Sequence, residues 1–419
     1  MAIFWLLALI VALMLLRVNL VLILLAVAAY LHVVYGGHSI ENIAQDMWNA
    51  LDQELILSIP LFLLLASVMN RGRMARYLVD IMVVVTRRLP AGLALATILS
   101  CAIFSAVSGS SIVTMLAVGT AMYPALLRDG YTKSFAIGAI CAGGSLGIII
   151  PPSIPMILYG VLSQSSVTDL FIAGLGPGLL LTAAFSSYAM FVNRRLRTHH
   201  SSTKSILDAL WEGKYALAMP VIMLGGIYSG YMTPTEAATI SLVYAVCIET
   251  FVYREIDFAE YGEIAVASGK LLGAILPLVA IAFSINIALT EQHVPQKLVD
   301  FMLANASDAL VFLLLINLLL MMLGCFMDAA SAMVVTIPLL RPLADAYGVS
   351  ATHLGVLMTL NLEIGTLTPP FGINLIVATA AFNQKFGFVC RAAIPWILIM
   401  ILCLLLVLAL PWIALGLLK

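Results

Sequence analysis

Gly143 to Gly160 reads GGSLGIIIPPSIPMILYG, an apolar run interrupted by Pro151, Pro152 and Pro155. Adjacent prolines remove two backbone donors and their rings clash with the preceding turn, so a helix entering this stretch has to open. Inside a bilayer an opened helix is expensive, because each freed NH or carbonyl must be satisfied by protein, water or an ion. A second such stretch, GTLTPPFGINLIVA, begins at Gly365. Gly147 and Gly365 stand 218 positions apart (365 − 147), as do Pro151 and Pro369, Pro152 and Pro370, Pro124 and Pro342, and Gly130 and Gly348. Pro60 and Ser67 return at Pro277 and Ser284, at an offset of 217. Backbone-special residues returning in register imply an internal duplication. A broken hydrophobic segment at matching places in two halves is the sequence pointer to a membrane carrier's binding site.

Composition fixes the solvent. Of 419 residues 63% are hydrophobic and only 10% charged, with a mean hydropathy of +1.11, which excludes a water-soluble globule. The apolar runs are continuous and about 20 residues long, the length of a membrane-spanning helix, and lack the alternation of an outer-membrane barrel. The chain is therefore expected to be an all-α polytopic membrane protein. A net charge of −1 says nothing about nucleic acid, and no basic tract with interleaved aromatics occurs. The six cysteines lack CxxC spacing and read as small core residues. The apolar N-terminus carries no small-residue cleavage site, so its first thirty residues are read as retained helices.

Along the chain, Ile3–Leu16 and Val21–Val34 read as two short helices separated by Arg17 and Asn19, and His38–Glu54 as an amphipathic segment on the membrane surface. Ile56–Met69 is the next span. The arginines at 71, 73, 76, 87 and 88 mark the cytoplasmic side and flank a segment too short to cross. Ala91–Leu127 is apolar except for FSAVSGSS at Phe104–Ser111, where serine and glycine favour a turn over a lipid-facing helix. A hairpin with its tip at Ser108–Ser111 is expected there, and a second one around GCFMDAAS at Gly324–Ser331; a continuous helix packed through small residues is the plainer alternative. Val167–Val192 spans back to the most basic loop, 193–214. Its adjacent His199 and His200 have no carboxylate or cysteine spaced for a metal and read as a solvated linker. Tyr215–Gly230 and Ala237–Tyr253 form a helical pair, with Thr233 or Thr235 as a cap and Glu236 in the first turn. The second repeat runs from about Ala267 to Val377, and Ala393–Leu417 is the last span.

The stretches GGIYSGYMTPTEAA, SGSS, MNRGRMARYLVD, NLEIGTLTPPFGINLIVA and the opening one together resemble the large membrane subunit of tripartite ATP-independent periplasmic (TRAP) transporters. The likeness runs from about Ala50 to Val377, in the family's order. It implies an inverted-repeat, elevator-type transporter with two reentrant helical hairpins, around Ser108 and Asp328, and two broken transmembrane helices, at Pro151 and Pro369. It also implies a small membrane (Q) subunit, a periplasmic substrate-binding (P) protein, an organic acid cargo, sodium as the driving ion and a bacterial inner-membrane location. The expected partition is as follows: residues 1–90 form scaffold helices and an interfacial arm, 91–166 the first transport-domain repeat, and 167–266 central scaffold helices. Residues 267–308 form second-repeat scaffold helices, 309–384 the second transport-domain repeat and 385–419 the C-terminal helix. One departure is visible: where many members carry an acid shortly after the first SGS, this chain has Thr114.

Hairpin tips and helix breaks expose backbone carbonyls suited to Na⁺, while half-helix N-termini offer NH groups to a carboxylate. On the strength of the resemblance as well, one sodium site is expected from Ser105, Ser108, Gly147, Ile150 and Pro152, and the other from Gly324, Gly365, Thr368 and Phe371. The hydroxyls of Ser108 and Ser153 are expected to face the cargo. Gly147 and Gly365 serve either ion approach or close helix packing. Asp328, an acid at membrane depth, is a candidate for direct or cation-mediated cargo contact, and its plainer role is to cap the second hairpin arm. Glu363 is a weaker candidate, and Glu236 and Glu291 read as caps or interfacial charges.

Two other functions come into question for a chain of this kind. A membrane hydrolase is disfavoured, since the six histidines mostly lie in loops or at span ends and neither a serine elbow nor HExxH occurs. A stand-alone sodium-coupled dicarboxylate carrier of related hairpin architecture is the closer alternative. No Walker motif is present, so ATP is not the expected energy source.

Overall fold

The computed structural model describes residues 5, 9, 10, 12, 13, 15, 16, 18–35, 40–196, 205–305 and 308–418. The expected helix at Ile3–Leu16 and the paired histidines of the basic loop lie largely or wholly outside them. Helix α1 (Leu20–Ala29) starts at Asn19, whose side chain accepts from the Val21 NH at 2.9 Å, and runs on as a π turn to Tyr35. After the amphipathic α2 (Ile40–Leu51) come α3 (Glu54–Arg71), α4 (Met74–Thr86), α5 (Gly92–Ser108), α6 (Ser111–Arg128), α7 (Lys133–Ile149), α8 (Ile154–Ser163) and α9 (Val167–Val192). The second part contains α10 (Ile206–Glu212), α11 (Lys214–Tyr228), α12 (Pro234–Cys247), α13 (Phe258–Glu291), α14 (Val294–Asn305), α15 (Ala309–Phe326) and α16 (Ala329–Ala346). It closes with α17 (Ala351–Thr366), α18 (Ile373–Ala381), α19 (Phe386–Ala409) and α20 (Trp412–Leu415). Among the described residues nine helical segments are long and apolar enough to cross a bilayer.

The core is built on two helices. Every residue of α7 from Phe135 to Ile149 is buried, and so is every residue of α17 from His353 to Thr366. Lipid tails are as apolar as leucine, so helices in a membrane associate through close packing, and α7 accordingly carries small residues in AIGAICAGGSLG. It lies against α5, α6 and α19, while α17 lies against α15, α16 and α19. Each of these central helices is the one that stops at a proline pair.

Around this core, α13 packs on α1, α2, α3 and α16. It is fixed by polar ties: His32 Nε2 lies 2.9 Å from Ser284 Oγ, which donates to Asp46 Oδ2 at 2.9 Å, and Ser268 Oγ donates to Ser67 Oγ at 3.1 Å. At the arginine-rich corner Arg71 meets Glu260 at 2.7 Å, and the enclosed Glu249 accepts from the backbone NH groups of Arg73 (3.0 Å) and Met74 (2.8 Å), capping α4. Thr233 caps α12 in a reciprocal box with Glu236, as the sequence suggests.

Two expected boundaries differ. The division at 266/267 falls inside α13, a continuous helix of 34 residues, because Asp257 and Glu260 form a capping box that starts it at Phe258. The last span begins at Phe386 rather than Ala393, since Pro395 is carried within α19, and it ends at Ala409, shortly before Pro411.

Candidate functional site

In the first half, α5 ends at Ser108, Gly109 turns the chain at φ +60° and α6 restarts at Ser111, with Ser110 as its extended N-terminal residue. A left-handed residue is what ends a helix tightly, and glycine adopts it without a Cβ penalty. The two arms pack on each other and on α7. Helix α7 stops at Ile149, the Pro151–Pro152 bond is cis, and α8 restarts behind Ser153. The break and the tip are joined by backbone: the Ile154 NH donates to the Gly109 carbonyl at 3.3 Å. A Cβ on Gly147 would lie 2.5 Å from the Ser110 carbonyl oxygen and 2.7 Å from Thr114 Oγ1. One on Gly109 would lie 3.3 Å from the Pro152 carbonyl oxygen.

The second half repeats this arrangement. Helix α15 ends at Phe326 and α16 restarts after Asp328; α17 ends at Thr366, the Pro369–Pro370 bond is cis, and α18 restarts after Gly372. Here the Gly372 NH donates to the Cys325 carbonyl at 3.1 Å. Gly372 is 218 positions after Ile154, so the duplication places the donor of this tie at the same point in both halves. Gly324 and Gly365 are pressed together, since a Cβ on Gly365 would lie 2.6 Å from the Gly324 Cα. A Cβ on Gly372 would lie 3.0 Å from the carbonyl oxygens of both Thr366 and Thr368, which therefore converge on that point. The Leu375 Cδ1 methyl lies at the same 3.0 Å, so the two carbonyl oxygens meet beside an apolar side chain.

Of the residues expected to bind sodium, Ser105, Ser108, Gly147, Ile150 and Pro152 are all buried around the first tip. Gly324, Gly365 and Thr368 gather at the second tip, where the Gly365 carbonyl accepts from the Thr368 NH at 2.8 Å. Phe371 has an exposed side chain, its ring centroid 5.4 Å from that of Phe326. For both glycines the structure gives the close-packing reading a definite partner, the hairpin backbone itself.

The two tips look onto a cavity of about 710 Å³ whose wall includes Ser110, Ser111, Asp328, Glu363, Asn374 and Lys270. Asp328 stands on that wall and also caps α16: its Oδ2 accepts from the Ser331 NH at 3.0 Å and its Oδ1 from the Ser331 hydroxyl at 2.5 Å. Neither Ser108 nor Ser153 is on the wall. Ser108 is fully buried with its Oγ 2.5 Å from Thr114 Oγ1, so the threonine that stands in place of an acid is used to hold this serine. Ser153 is also fully buried and its hydroxyl accepts from the Met156 NH at 3.4 Å, as the cap of α8. The serines that do reach the cavity are Ser110 and Ser111.

Behind them lies a cluster that joins the halves. Asn374 Nδ2 lies 2.8 Å from Glu363 Oε1, 3.0 Å from Thr366 Oγ1 and 3.2 Å from Ser111 Oγ, so α18, α17 and α6 share one amide. Glu363 is fully enclosed. Asn374 and Lys270 carry no signal in the repeat pattern. Ser110 does: it precedes Asp328 by 218 positions, and both are the N-terminal capping positions of the second hairpin arm.

Comparison with known proteins adds the family context. The model of the family described as "Tripartite ATP-independent periplasmic transporter, DctM component" matches residues 7–413. The C4-dicarboxylate TRAP transporter large permease protein DctM of Pseudomonas aeruginosa is 36% identical over 386 residues, covering 91% of this chain and 90% of that one. The isethionate TRAP transporter permease protein DctMQ of Oleidesulfovibrio alaskensis is 36% identical over 380 residues; these cover 90% of this chain but only 60% of that longer protein. Among solved structures, the YdaH transporter of Alcanivorax borkumensis superposes with a TM-score of 0.66 at 13% identity over 89% of this chain and 88% of its own, a likeness of fold.

Proposed function

Since the chain belongs to the DctM-component family of tripartite ATP-independent periplasmic transporters, we propose that it is the large multi-pass subunit of a sodium-driven importer in a bacterial inner membrane. Its cargo is an organic acid anion, of the C4-dicarboxylate, sialic acid or a similar carboxylate class. The cargo is delivered by a periplasmic binding protein, and a small membrane subunit supports the scaffold. The observation that carries this reading is the paired construction of the site: two hairpin tips, each tied by backbone to a proline-broken helix, both facing one cavity. Irregular backbone is tolerated at membrane depth where it lines a cavity or is enclosed by protein, and half-helix ends there suit ions and carboxylates.

Carbonyl oxygens of Ser105, Ser108, Gly147, Ile150 and Pro152 take one sodium ion, and Gly324, Gly365, Thr368 and Phe371 take a second. Asp328, together with Ser110 and Ser111, borders the cargo. Helices α1–α4 and α13 serve as the fixed side against which the hairpins and broken helices move as one body, in an elevator cycle.

Uptake into proteoliposomes decides the matter. The chain reconstituted with its small subunit should take up a radiolabelled organic acid only when both a sodium gradient and the loaded binding protein are present. Uptake by the chain alone would instead make it a stand-alone sodium-coupled carrier, and uptake indifferent to sodium would overturn the ion reading.

A further inference from the structure

The charges on the cavity wall are unevenly supplied. Asp328 brings a carboxylate to the wall, while Glu363 is enclosed behind it and bonded to Asn374, and among the described residues lining the cavity Lys270 is the single cationic side chain. An anionic cargo meeting the Asp328 carboxylate needs positive charge from somewhere. Lys270 lies on α13, ten residues, about 15 Å, along the axis from Glu260, whose carboxylate meets Arg71 at the arginine-rich corner, and just before the apolar run that begins at Leu271. Its side chain is exposed. None of the described carboxylates lies within salt-bridge distance of its ammonium. A lysine near a helix end normally extends toward headgroups or pairs with an acid. One that lines a cavity together with the residues of two hairpin tips, and has no described acid within salt-bridge distance, is placed for a ligand.

We propose that Lys270 is the scaffold-side anchor of the anionic cargo: its ammonium pairs with an acid group of the cargo across the cavity from Ser110 and Asp328. The inference rests on the cargo being an organic acid. Because Lys270 belongs to α13 and not to the hairpins, the cargo bridges the two sides of the cavity. A contact made on α13 is one that the hairpins leave behind when they move, so Lys270 selects for negative charge at loading without adding to what must be carried across. Neutral molecules of the same size gain nothing from it.

The test reads the cavity's charge without needing transport, sodium or the binding protein, so its failure is distinguishable from failure of the importer reading. Ala274, one turn from Lys270 on the same wall, is changed to cysteine in a Cys247→Ser background, which removes the one exposed native thiol. The full chain in liposomes is then labelled with a sulfonate-bearing and a trimethylammonium-bearing methanethiosulfonate. With Lys270 present the anionic reagent should be favoured, and Lys270→Met should lower the anionic-to-cationic rate ratio by about tenfold. Lys270→Arg should keep the ratio and Lys270→Glu should invert it. Millimolar succinate, as a dianion probe, should slow labelling in the Lys270 and Lys270→Arg proteins and have no effect after Lys270→Met. A ratio indifferent to residue 270, or no protection by succinate in the Lys270 protein, would overturn the proposal.

Discussion

Asp328 carries two duties that one substitution can separate. Its carboxylate caps α16 through the Ser331 NH and hydroxyl, and it also stands on the cavity wall. Asparagine is nearly as good a cap as aspartate, whereas alanine loses about 1 kcal/mol. Asp328→Asn should therefore leave thermal stability in detergent within experimental error while uptake falls at least tenfold; near-normal uptake would reduce Asp328 to a cap. The enclosed Glu249 offers the opposite case. It accepts two backbone NH groups at the start of α4, far in function from the cavity, so Glu249→Ala should destabilise by about 1–3 kcal/mol through unmet donors. The fraction of that variant that folds should transport with an unchanged sodium requirement.

At the scale of elements, the glycines decide how closely a broken helix approaches its hairpin. Gly365 and Gly324 leave no room for a methyl group, and Gly147 faces the Ser110 carbonyl in the same way. A Cβ at 147 or 365 would have to push the hairpin backbone aside, which moves the carbonyls proposed to hold the ion on that side. Gly147→Ala and Gly365→Ala should each shift half-saturation for sodium to higher concentration, each from its own half, as measured by initial uptake against sodium. Full retention of the wild-type curve in either variant would show that the hairpin approach and the ion requirement are independent.

Taken as a whole, the molecule is two halves that meet through the Ser111, Glu363, Thr366 and Asn374 cluster. On the proposed reading, each of the two halves takes one sodium ion, so at least two accompany each cargo. With a monovalent acid, at least one net positive charge would then enter per cycle, and each charge crossing 100 mV supplies about 2.3 kcal/mol. Uptake should rise sigmoidally with sodium and accelerate when the vesicle interior is made negative. A hyperbolic sodium curve with no response to membrane potential would mean that the halves do not act as two coupled ion sites. Both glycine variants combined should cost more than the sum of each alone if the shared Asn374 amide links the halves.

What the sequence by itself determined was whatever chain chemistry imposes locally. The adjacent proline pairs 151–152 and 369–370 stop helices, whereas single prolines such as Pro277 and Pro395 are carried within them, and the SGSS stretch and the Asp328 segment turn the chain because serine, glycine and aspartate satisfy backbone groups at a helix end. The membrane, the duplication and the hairpin tips followed from that. Which side chains reach the cavity was decided only by tertiary packing. Ser108 and Ser153 have the right chemistry, but their hydroxyls are consumed by Thr114 and by the start of α8, while Ser110 and Ser111, two and three residues beyond Ser108, line the open space. Asn374 and Lys270 belong to elements distant in sequence, and nothing local marks them. They join the site because α18 folds back on α17 and α13 packs on α16, and a hydrogen-bond partner or a charge lining a shared cavity is a property of that meeting, absent from either segment alone.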